Sequence, residues 1–167
     1  MTTIVAKRSR RPTSRRARPG NAPAPTGEPE GVRYIESSAL VAALLERDRA
    51  ALESVRTRGR QVTSALTIAE AARAILRARA GARLKADEER AAVGALRRFE
   101  RRSYVVAVTD AVLARVRGPF PVEPVRTLDA VHLATAELLG EPPQLVTIVT
   151  RDARVRDNAR ALGYAVE

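Results

Sequence analysis

The chain has 167 residues, a formal net charge of +11, no cysteine and one histidine. That is the length of a single domain; the missing thiols exclude disulfides, zinc–thiolate sites and cysteine nucleophiles, and a Ser-His-Asp triad would have to run through His132 without a G-x-S-x-G turn to accompany it. No apolar run approaches the roughly 18 residues of a membrane helix, and the basic N-terminus lacks the apolar stretch of a signal peptide, so a cytoplasmic protein is expected.

Residues 1–27 carry seven positive side chains (Lys7, Arg8, Arg10, Arg11, Arg15, Arg16 and Arg18) and no acid. With Pro12, Pro19, Pro23, Pro25 and Pro29, residues 1–31 hold too little apolar surface for a core and read as a disordered basic tail. Such an arm either attracts RNA through its phosphates or is a solvated leader. Residues 32–167 form the domain. Val32–Ile35 reads as a strand and Ser37–Arg47 as a helix with Leu40, Leu44 and Leu45 on one face. A short helix over Arg49–Arg58 stops at Gly59. Gln61–Ser64 is a second strand, and Leu66–Ala80 a helix ending before Gly81. Lys85–Arg101 is a charged helix with an apolar stripe of Val93, Leu96 and Phe99. Tyr104–Val108 is a third strand and Asp110–Arg117 a short helix. The proline-rich stretch 118–124 is a rigid loop. Leu128–Leu139 is helical and stops at Gly140 and Pro142-Pro143. Leu145–Thr150 is a fourth strand, Ala153–Leu162 a helix, and Tyr164–Val166 an edge strand. This alternation predicts an α/β fold: a mostly parallel sheet of four to five strands with helices on both faces.

The usual phosphate cradles are missing: there is no G-x-G-x-x-G and no G-x-x-x-x-G-K-[ST]. A receiver-type phospho-acceptor domain is excluded by the lack of any lysine after Lys85. What remains are four acids in apolar surroundings: Glu36, Glu70, Asp129 and Asp152. Glu36 and Asp152 lie at the carboxyl ends of strands, the edge where ligands bind in a parallel sheet. Acids gathered there suit a hard divalent cation such as magnesium or manganese. Each also has an ordinary reading. Thr67 and Glu70 have capping-box spacing, Asp152 suits a helix N-cap, and Asp129 sits where a helix dipole favours an acid. Glu36 is different, because a lone carboxylate ending a buried strand is costly. His132, one turn after Asp129, reads as a buried, hydrogen-bonded histidine rather than a ligand. Asp157 and Glu137 read as solvated, and Asp110 as an N-cap.

YIESSAL, SALTIAEAAR, RTLDAVHLA and IVTRDARV resemble, in order and spacing, the signature segments of the PIN-domain family, in particular the VapC-type toxin ribonucleases. The resemblance covers Val32 to Val166. It implies a three-layer PIN-like α/β/α sandwich and an endoribonuclease dependent on Mg2+ or Mn2+. It also implies an antitoxin protein as partner, and a homodimer. Carried over by motif, Glu36, Glu70, Asp129 and Asp152 are the catalytic metal-holding acids, with Thr150 and Ser38 supplying hydroxyls beside them. Arg126 either contacts an RNA phosphate or is merely solvated. The family's first acid is usually an aspartate and here it is Glu36. Either the pocket has adapted to glutamate, or the chain is a weakened or inactive relative that binds RNA or an antitoxin without cutting.

Overall fold

The computed structural model describes residues 31–167 except 47 and 58. The tail expected over 1–31 therefore lies, apart from Gly31, outside the described residues, as do the expected helix ends at Arg47 and Arg58. Five strands form one parallel sheet: β1 (Val32–Ile35), β2 (Arg60–Ser64), β3 (Tyr104–Val106), β4 (Val146–Val149) and β5 (Ala165–Val166), in the order β3-β2-β1-β4-β5. The central strands VRYI and VTIV are apolar nearly throughout because helices cover both faces of a parallel sheet. Alternation along β1 sends Val32 and Tyr34 to one face and Ile35 to the other.

Two cores follow from that alternation. On one face Ile35 and Val149 pack with α1 (Ser37–Leu45), α2 (Arg49–Arg56), α3 (Ala65–Ala80) and α4 (Ala86–Arg102) through Leu40, Val55, Ile75 and Phe99. On the other, Tyr34, Val62 and Ile148 pack with α5 (Asp110–Val116), α6 (Thr127–Glu137) and α7 (Ala153–Ala161) through Val112, Leu133 and Val155. The result is the expected three-layer α/β/α sandwich. Among the described residues, no helix is long and apolar enough to cross a membrane.

The strands expected over Tyr104–Val108 and Leu145–Thr150 are shorter than expected. β3 is an edge strand that pairs only with Val62–Ser64, and β2 ends at Ser64, so nothing holds the chain in the sheet beyond Val106. Leu145 is drawn into a 3-10 turn, Pro143–Leu145, before β4 begins. Asp110 is not the N-cap of α5. Thr109 holds that place, its hydroxyl accepting from Val112 N at 3.4 Å, and Asp110 is the exposed first residue of the helix. Glu137 is not simply solvated either, since Arg115 of α5 reaches it at 2.8 Å.

The loop between α5 and α6 is pinned by side chains. Glu123 accepts from Phe120 N at 3.0 Å and Val125 N at 2.7 Å, and the Arg115 guanidinium lies 4.1 Å from the centre of the Phe120 ring. Asn158 of α7, fully buried, accepts from Val122 N at 2.9 Å and donates to Val122 O at 2.9 Å and Arg154 O at 3.0 Å. Asn158 thus ties α7 to the loop that leads into α6. Asn158→Ala should destabilise the domain by about 2 kcal/mol, because it removes three hydrogen bonds and leaves polar groups to find new partners. A urea titration would check this; a change under about 0.5 kcal/mol, within ordinary surface-mutation scatter, would deny the strut.

Candidate active site

From β1 the chain moves to β2 and β3 on one side, while β4 and β5 lie on the other. Strand order therefore reverses between β1 and β4, and the crevice beyond their carboxyl ends is where such a sheet binds ligands. Glu36 enters the crevice directly after β1, its N–H donating to Val149 O at 3.0 Å. It is also the N-cap of α1, with both carboxylate oxygens accepting from Ser38 N at 3.0 Å. Ser37 Oγ donates to Oε1 at 2.6 Å, Thr150 Oγ1 donates to Oε2 at 2.8 Å, and Ser38 Oγ also donates to Oε2. Only 3% of Glu36 is exposed, so these bonds supply the compensation that a buried carboxylate requires.

Ser38 and Thr150 also connect Glu36 to the next acid. Ser38 Oγ accepts from Arg151 N at 2.7 Å and Asp152 N at 3.1 Å, and Thr150 Oγ1 accepts from Asp152 N at 3.0 Å. The two hydroxyls placed beside the acids by sequence are thus in contact with Glu36. Asp152 caps α7, its Oδ1 accepting from Arg154 N at 2.7 Å and Val155 N at 3.2 Å. Its capping and site readings are therefore compatible.

Glu70 is not part of a capping box. α3 begins at Ala65 with Ser64 as its cap, which places Thr67 inside the helix, where its hydroxyl turns to Ile35 O. Glu70 instead reaches across to His132, with Oε2 2.8 Å from Nε2. Burial pushes the Glu70 carboxyl up, but the hydrogen bond from His132, its charge whenever the ring is protonated, and smaller help from Ser37 and Arg77 hold it below its ordinary value. His132 is buried as expected, and its Nδ1 lies 3.3 Å from the Tyr34 hydroxyl.

Asp129 stands in the first turn of α6, where the helix dipole favours an acid. Its pKa is nevertheless raised, first by burial and then by the charges of Asp152 and Glu36, which outweigh the nearby Arg126 and His132. Its Oδ2 is a buried oxygen with no hydrogen-bond partner. Arg126 is exposed at the N-cap position of the same helix and makes no side-chain cap. Among the described residues, the ligand atoms that come within 4.8 Å of one another belong to Glu36, Glu70 and His132. Asp129 and Asp152 stand outside this tight cluster and join it through their electrostatic coupling.

The family model for the PIN domain matches residues 33–161. This chain belongs to the PIN-domain family. Two relatives from Mycobacterium tuberculosis align with most of the chain. Ribonuclease VapC46 (strain ATCC 25618 / H37Rv) is 42% identical over 135 residues, 80% of this chain and 94% of the relative. Ribonuclease VapC35 (strain CDC 1551 / Oshkosh) is 39% identical over 137 residues, 80% of this chain and 93% of the relative. Among solved structures, VapBC2 from Rickettsia felis bound to a DNA fragment from its promoter aligns with a TM-score of 0.53 at 11% identity. It covers 81% of this chain and 97% of that chain. PAE2754 from Pyrobaculum aerophilum aligns at 0.50 with 23% identity, over 79% and 95% of the two chains. Both are likenesses of fold.

The donor set of this PIN domain suits a hard divalent cation. Burial and the charges of Asp152 and Glu36 raise the cost of ionising Asp129, and its unpartnered Oδ2 is an oxygen that a cation would satisfy. Sequence reasoning missed Ser37, whose hydroxyl is bonded to Glu36, although the Ser37-Ser38 pair was the visible signal. It also missed Tyr34, which read only as a core position in a strand.

Proposed function

We propose that this PIN-domain protein is a metal-dependent endoribonuclease, the toxin of a type II toxin–antitoxin pair, with Glu36, Glu70, Asp129 and Asp152 holding Mg2+ or Mn2+. The observation that carries the reading is the unpartnered, buried Asp129 oxygen among coupled acids at the switch point of the sheet. The names of the curated relatives supply the reaction class. The solved VapBC assemblies supply the expectation of an antitoxin partner. The same reading takes the protein as a cytoplasmic homodimer.

An ion held by these acids would supply a water acidified for attack on a phosphodiester. The chain's own residues bind and orient. Ser37, Ser38 and Thr150 fix the Glu36 carboxylate, and Ser38 and Thr150 also hold the backbone of Asp152 in place. Arg126, exposed beside Asp129, is suited to an RNA phosphate. His132 is too buried to act on RNA as a base.

The rival reading is a module that grips RNA or an antitoxin without cutting, in which Glu36 serves only the α1 cap and its hydroxyl partners. Labelled total RNA incubated with the purified protein, freed of any partner, separates the two. Cleavage that requires Mg2+ or Mn2+ is expected. Folded protein that binds RNA but cuts with neither ion would give the case to the binding module.

A further inference from the structure

Tyr34, His132 and Glu70 form a chain of side chains that runs from the core to the edge of the site. Tyr34 and His132 are each 1% exposed, on β1 and α6, while the Glu70 side chain from α3 is 27% exposed. Their atoms meet in series: the Tyr34 hydroxyl lies 3.3 Å from Nδ1, and Nε2 lies 2.8 Å from Glu70 Oε2. The two rings pack edge to face, with centres 6.4 Å apart at 67°.

The chemistry fixes the direction of each bond. A carboxylate accepts hydrogen bonds, and Glu70 Oε2 lies 2.8 Å from Nε2, so Nε2 carries the proton. In a neutral imidazole Nδ1 is then the acceptor, and the Tyr34 hydroxyl is the donor that faces it. The Nε2–H that points at Glu70 is also the atom that a metal ion would need as a free lone pair. Glu36 Oε1 is 3.7 Å from the same nitrogen, so the acids crowd it rather than leave it open.

We infer that His132 is a positioning residue: held at Nδ1 by the Tyr34 hydroxyl, it donates from Nε2 to Glu70 Oε2 and so orients that carboxylate as a ligand for a divalent cation. This rests on the metal reading given above. It also separates His132 from the ligand set, even though its Nε2 lies in the closest cluster of donor atoms. Hydrogen-bond partners of metal ligands fix the ligand's orientation and tune its basicity, and losing one typically costs about 10–100-fold in metal affinity.

Because His132 is the sole histidine, its ring nitrogens can be read without assignment ambiguity by 15N NMR of the full chain. In metal-free protein, a protonated Nε2 and an unprotonated Nδ1 are expected, and Nε2 should keep its proton when Mg2+ is added. The Nδ1–H tautomer, or loss of the Nε2 proton on adding Mg2+, would overturn the assignment; the second result would make His132 a ligand. Mn2+ titration of variants adds the functional half. His132→Ala should weaken binding about 10–100-fold. His132→Gln, whose amide N–H can replace Nε2–H, should recover most of that loss, and Tyr34→Phe should fall between. Equal loss in His132→Gln and His132→Ala, with both shown folded, would also overturn it. The tautomer is measured without metal, so it judges the hydrogen-bond chain separately from the metal reading. Wild-type protein that binds neither ion would sink the metal reading and the orienting role together.

Discussion

Asp129→Asn should abolish metal-dependent RNA cleavage while making the metal-free protein more stable. The two effects have one origin. Asp129 ionises against burial and against the charges of Asp152 and Glu36, and one of its oxygens is buried without a partner. That arrangement is unfavourable for the empty fold and favourable for a bound cation, a trade common at functional sites. Removing a carboxylate from the metal set should cost at least the roughly 100-fold upper range seen when a ligand's hydrogen-bond partner is lost. The asparagine carries no charge and can donate from its amide to the neighbouring carboxylates, so the repulsion is relieved.

The pH dependence gives this prediction a sign. A carboxyl whose folded pKa is raised binds its proton more tightly in the folded state, so ionisation works against folding. The penalty is full above the raised pKa and vanishes below the unfolded value of about 3.9. In EDTA, the melting-temperature advantage of Asp129→Asn should therefore be present at neutral pH and shrink as the pH falls towards that value. An advantage that is absent at pH 7, or that grows on acidification, would contradict the coupling. Retained cleavage would remove Asp129 from the metal set.

The elements of the sheet were legible because local physics decides them. VRYI and VTIV are short, mostly apolar runs that end at the polar residues Glu36 and Thr150, and a strand covered by helices on both faces reads close to that way. Helix ends at Gly81 and near Gly140 follow from the cost of continuing a helix through glycine or the Pro142-Pro143 pair. Partners were not legible. Glu70 has the spacing of a capping box with Thr67, but the helix begins earlier, at Ser64, because Ser64 ends β2 and its hydroxyl caps Leu66 N at 3.2 Å. Glu70 was thereby freed for a residue 62 positions away. Periodicity announces that His132 is buried and says nothing of Tyr34, 98 positions away, on the other side of its ring. Glu137 failed as a surface acid for the same reason, since α5 brings Arg115 against it.

Glu36 is where the sequence left two outcomes open, and the geometry favours one. A pocket inherited from an aspartate and merely tolerating a longer acid should leave some of its oxygens poorly bonded. Here Oε1 accepts from Ser37 Oγ and Ser38 N, and Oε2 accepts from Thr150 Oγ1 and both Ser38 donors. The donors come from α1 and from the end of β4, so glutamate is fitted on two sides. Glu36→Asp withdraws the carboxylate by about one carbon–carbon bond, and a misplacement near 1 Å can cost about 100-fold in rate. It also strands part of a buried donor set, at about 1–3 kcal/mol for a polar group left unsatisfied. Glu36→Asp should therefore lower both cleavage and stability, measured as the rate on labelled RNA and the urea midpoint. Higher activity in Glu36→Asp would mean that glutamate had weakened an older site. Equal activity would mean that Glu36 holds the fold at this corner more than it holds the metal. In that case the hydroxyls of Ser37, Ser38 and Thr150 serve the helix cap first, and Glu70, Asp129 and Asp152 would have to supply the metal site themselves.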